Sequence, residues 1–90
     1  NHIEKIGLWG ACPTVVNLVF MTKINNYVLF DGDEKKQGNE ISGIKGIINS
    51  PSKKNINNLV DKVCIIPLGF QKMIESSLQN SGIRYFSLFN

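Results

Sequence analysis

The chain has 90 residues, a net charge of +3 and a hydrophobic share of 42%, enough for one packed core and too little for two domains. A charged share of 19% and a mean hydropathy of −0.05 exclude a disordered chain. The basic residues, one arginine (Arg84) among lysines, are scattered, with Lys35-Lys36 and Lys53-Lys54 as the longest runs; this spread reads as solvated surface and argues against a nucleic-acid partner.

The pattern alternates strand and helix. Residues 5–9 read as a short strand, and Gly10-Ala11-Cys12-Pro13 as a tight turn with proline placed for a first helical turn. Residues 14–23 follow as a helix, apolar nearly all round and so expected to be covered on more than one side. Asn25-Asn26 ends it. Tyr27-Val28-Leu29-Phe30 is a continuous apolar run, the mark of a buried parallel strand, and it stops at Asp31-Gly32-Asp33.

A polar loop spans residues 34–42, and residues 44–49 read as a glycine-interrupted third strand. Ser50-Pro51 predicts the start of a second helix, with Ser50 as cap and Ile56, Leu59, Val60 and Val63 at helical spacing. Residues 63–67 form the most apolar strand. After Leu68-Gly69, the apolar stripe Phe70, Met73, Ile74 and Leu78 predicts an amphipathic helix closed by Gly82. Residues 83–89 make the last strand. Alternating elements of this kind predict an α/β fold: one three-layer, Rossmann-like domain over residues 1–90, with about five parallel strands in the order 3-2-1-4-5.

Cys64 lies inside Val63-Cys64-Ile65-Ile66, which suits a buried free thiol in a reducing, cytoplasmic compartment. His2 is the single histidine and no CxxC occurs, so no metal site is expected. No apolar window reaches the length of a membrane span, so no membrane partner is expected. The start carries neither methionine nor a signal-peptide pattern, and we expect a piece excised from a longer protein.

Ligands of such sheets bind beyond the carboxyl ends of the strands, where the winding reverses. Here that crevice would be built by Gly10, Ala11, Cys12, Asp31, Leu68 and Gly69. A glycine turn at a helix start presents N–H groups to phosphate, and an acid about 20 residues on can hold a ribose hydroxyl, a spacing that Asp31 meets from Gly10. The dinucleotide glycine pattern is absent, because Cys12 and Val15 occupy its second and third positions. A plain turn is therefore the simpler reading of Gly10 to Pro13, and a polar strand end that of Asp31, Asp33 and Glu34. Cys12 is read as a packing thiol, and Trp9 and Phe70 as core aromatics flanking the crevice. No nucleophile has its base nearby in sequence, so no catalytic residue is assigned and the chain by itself is not expected to be catalytic.

Five segments together resemble a known module. The run Lys5 to Ala11 is similar to the "aaYGA" opening of the C-terminal Rossmann-like domain of sugar C-methyltransferases. Val28-Leu29-Phe30-Asp31-Gly32-Asp33-Glu34-Lys35-Lys36-Gln37-Gly38 resembles that domain's strand, acid and "KQG" loop. Gly43, the stretch Ile48-Asn49-Ser50-Pro51, and Val63 to Leu68 with Met73-Ile74 resemble its third-strand glycine, "SP" and "LILPW…EI" segments. After Ala11 the two patterns part, since Cys12-Pro13-Thr14-Val15 stands where that family has small residues, a lysine and a glycine. A similar strand, acid and loop open the nucleotide-sugar-binding domains of some bacterial sugar acyltransferases.

The resemblance implies an accessory domain behind a catalytic domain that uses S-adenosylmethionine to methylate a nucleotide-linked sugar, with no cofactor held in these residues. The expected partners are that catalytic domain, a nucleotide-sugar, and a second copy paired through the edge of the last strand. The alternatives are a free-standing NAD- or nucleotide-binding regulatory module and a ligand-free protein-interaction domain.

Overall fold

The computed structural model describes residues 3–67 and 69–88. Its elements run β1 (Ile6–Trp9), α1 (Pro13–Thr22), β2 (Tyr27–Phe30), β3 (Ile48–Asn49), α2 (Lys53–Leu59), β4 (Lys62–Ile65), α3 (Gln71–Leu78) and β5 (Arg84–Ser87). The five strands form one sheet in the order β3-β2-β1-β4-β5, and every pair is parallel. This is the Rossmann-like α/β architecture expected from the alternation of elements, with β1 at the centre and the winding reversal between β1 and β4.

The pleat sorts each strand's side chains into two cores. Leu8, Leu29, Ile48, Cys64 and Ile66 face α1 and bury Val15. Trp9, Phe30, Val63 and Ile65 face the other way, where Ile56 and Val60 from the α2 segment and Ile74 and Leu78 from α3 close over them. Gly7 explains how Phe30 reaches full burial: a Cβ there would lie 2.9 Å from the Phe30 ring, so the missing side chain in β1 makes room for it.

Several sequence-derived boundaries move. The third strand shrinks to Ile48–Asn49 because Gly43 and Gly46 take φ of +102° and +113°, which fold residues 41–46 into turns. The second helix starts two residues later than Ser50-Pro51 implies. Ser52 is its cap, and its Oγ accepts the Asn55 N–H at 3.1 Å. Of its expected stripe, Ile56 and Val60 are buried, Leu59 is exposed, and Val63 belongs to β4.

The helix α1 is covered on one side only. Val15 is buried, whereas Phe20 and Met21 are 78% and 81% exposed, because a single helix against a sheet buries one stripe. In α3 the stripe narrows to Ile74 and Leu78, with Phe70 and Met73 exposed. Helix α3 ends at Leu78 with Gln79 as its cap, so Gly82 does not close it directly and takes φ +79° beyond the following turn. No helix among the described residues is long and apolar enough to cross a membrane.

Candidate functional site

The carboxyl ends of β1 and β2 meet at Asp31, and the contacts there define the site. The Asp31 Oδ2 accepts the Ala11 N–H at 2.8 Å. Lys36 Nζ donates to the Ala11 carbonyl at 3.0 Å and stands 3.8 Å from the same Asp31 oxygen. Both polar groups of the Ala11 residue are thus held, one by an acid and one by an amine, and these two side chains also attract each other. Gln37 Nε2 donates to the Asp31 carbonyl at 2.8 Å, and the Asp31 N–H donates to the Asn49 carbonyl at 3.2 Å. Asp31 Oδ1 accepts the Asp33 N–H at 2.8 Å, so the acid also shapes its own strand-end turn. The Asp31 side chain is 18% exposed, and charge-assisted bonds in such a half-shielded place are stronger than neutral ones in water.

The loop that brings Lys36 and Gln37 back is itself anchored. Gly38 donates its N–H to Ile48 at 2.8 Å with φ +84°, and Ile48 donates to Asn39 at 2.9 Å. The loop therefore returns along β3 and lays its side chains over the β1–α1 turn. Lys36 and Gln37 are the residues that reading by charge alone missed, since a lysine pair in a polar loop looks solvated.

The expected crevice residues separate into three environments. Gly10, Ala11 and Asp31 come together in the clamp, with the Gly10 N–H bonded to the Phe30 carbonyl at 2.8 Å. The floor beside them is occupied: Gly10 has φ +132°, and a Cβ on it would lie 2.7 Å from Pro67 Cδ. Pro67 thus packs directly against Gly10 at the end of β1.

Cys12 caps nothing with its side chain and opens into an adjoining groove of about 380 Å³ lined also by Ala11, Pro13, Asn17, Ile41 and Ser42. Gly69 is exposed in the turn between β4 and α3, where its N–H donates to Gln71 Oε1 at 2.7 Å. Leu68 lies outside the described residues. Of the two aromatics expected to flank the crevice, Trp9 is in the core as predicted, while Phe70 is 56% exposed.

The chemistry on offer is limited. Asp31, Asp33 and Glu34 do not converge on a cation: Asp33 Oδ1 accepts the Lys35 N–H at 3.0 Å, which makes it a turn former. Among the described residues no group of His, Cys, Asp and Glu could hold a metal. Both thiols are free, and burial pushes the Cys64 thiol up to about 11. Ser87 Oγ, at the end of β5, is buried with no hydrogen-bond partner. Fold and site together describe a doubly wound domain whose β1–α1 turn is held by its own acid and amine and packed against Pro67. Comparison with family models, with curated proteins and with solved structures finds no match to this chain.

Proposed function

We propose that this chain is a non-catalytic accessory domain of a methyltransferase-like, sugar-modifying protein, which packs on the catalytic domain and supports its nucleotide-sugar site. One observation carries the reading. The acid and the Lys36-Gln37 loop, one of the segments that resemble the sugar C-methyltransferase domain, act on the chain's own Ala11 turn. An independent dinucleotide site needs that acid free for a ribose and that turn open to pyrophosphate; here Asp31 and Gly10 are engaged inside the fold. A β1–α1 turn satisfied within the fold suits a supporting module.

The exposed apolar residues suit it as well. Phe86 and Leu88 at the β5 edge, and Phe70 and Met73 on α3, are surface that a neighbouring domain would cover. In the isolated domain the same β5 edge is available for pairing with a second copy, which light scattering reads directly.

Thermal-shift titration of the 90-residue chain tests the reading. NAD, NADP and S-adenosylmethionine should leave the melting temperature unchanged, thymidine or uridine diphosphosugars should bind weakly at most, and no methyl transfer should occur. Tight S-adenosylmethionine binding with turnover would sink the proposal, and a clear shift with NAD alone would replace it by a free-standing nucleotide-binding module. The parent reading frame should encode a methyltransferase domain upstream.

A further inference from the structure

We propose that the groove between the end of α1 and residues 43–46 binds a small organic anion: one carboxylate, sulfonate or phosphate carried on an apolar body. The groove lies at the amino ends of the strands, where Tyr27 opens β2, and so at the opposite end of the sheet from the Asp31 clamp. Its volume is about 510 Å³, within the range of small-molecule sites. Phe20, Ile24 and Ile44 supply apolar walls, Lys23 and Lys45 supply two cations, and no acidic side chain lines it.

The walls are held in place. Tyr27 OH donates to the Lys45 carbonyl at 2.6 Å, which ties the loop to β2. Gly43 approaches α1 so closely that a Cβ would lie 3.2 Å from Val16 Cγ1. Each wall then contributes one lysine. The two cations and the absence of acids make the groove complementary to an anion.

Lys23 adds an independent observation. It has φ +56° and is the single non-glycine residue at positive φ among the described residues. It terminates α1 by donating its N–H to the Val19 carbonyl at 2.9 Å. Glycine or asparagine ordinarily takes that position, and lysine there bears backbone strain. The partial negative charge at the end of α1 accounts for one cation here. It does not account for a second cation on the facing loop, nor for Phe20 left at the groove mouth.

The test uses naphthalene-2-carboxylate and its neutral carboxamide as probes, titrated at millimolar concentration and followed by amide NMR shifts. The carboxylate should move the signals of residues 23–25 and 43–46 and leave Ala11 and Asp31 in place. The carboxamide should bind about tenfold more weakly, as expected for the loss of two rim charge contacts. Lys45→Gln should weaken the carboxylate several-fold with an unchanged melting temperature. Lys23→Gly should weaken it similarly while raising the melting temperature by a few degrees, because glycine relieves the strained φ. No binding, equal affinity for the carboxamide, shifts centred elsewhere, or full affinity in Lys45→Gln would each overturn the proposal.

Discussion

Asp31 does more at the scale of a single residue than any other polar side chain described here. Its two carboxylate oxygens accept N–H groups from Ala11 and Asp33, and its removal also leaves Lys36 without its counter-charge. Asp31→Ala should therefore cost about 2–3 kcal/mol, the usual loss when a partly buried, charge-assisted donor is orphaned. Urea unfolding measures it, and a loss below about 0.5 kcal/mol would show the clamp to be incidental. The two thiols should separate in the same way. Cys64 is buried with its pKa pushed up to about 11, so little thiolate forms near neutrality. Cys12 is half-buried beside an open groove. Iodoacetamide at neutral pH should label Cys12 in the folded protein and reach Cys64 only after unfolding, as peptide mapping would show.

Elements depend on a few close approaches. The turn from β1 to α1 works because Gly10 combines φ +132° with contact against Pro67 and Ile66. Gly10→Ala meets both the strained φ and a Cβ placed 2.7 Å from a proline ring. It should cost about 2–4 kcal/mol, and the melting temperature reports it. Much of this layer was legible in advance. The strands expected at residues 5–9, 27–30, 63–67 and 83–89 follow from apolar runs, α1 from length and turn chemistry, and α3 from its apolar stripe. The third strand was over-extended because Ile44 to Asn49 looks apolar enough, and only the positive φ of Gly43 and Gly46 reveals the turns. The cap of α2 slipped from Ser50 to Ser52 because both serines stand beside Pro51, and the Asn55 N–H chooses between them through space.

Over the whole molecule, charge couples the chain start to the sheet edge. Glu4 forms ion pairs with Lys62 on β4 and with Arg84 on β5. The hydrogen bond from Lys62, then that from Arg84 and the charges of both, hold its carboxyl below the usual carboxylate range. A carboxylate depressed in the folded state adds stability above its unfolded pKa, and that gain is lost as pH falls through the folded value. Wild type should therefore melt above Glu4→Gln at neutral pH. The gap should close as pH falls below about 4, and salt should narrow it at any pH because the group is exposed to solvent. A gap unchanged at low pH would assign the effect to packing.

Apolar periodicity and turn residues by themselves determined the α/β class, the five parallel strands and their order, since right-handed crossovers leave few other ways to bury continuous apolar runs. They also placed Asp31 next to the Gly10 turn. Tertiary structure alone decided that this acid binds the chain's own Ala11, that Lys36 completes the clamp, and that Pro67 packs against Gly10. Those outcomes rest on side chains meeting across loops of about 20 residues or more, a distance over which local pattern carries no information about direction.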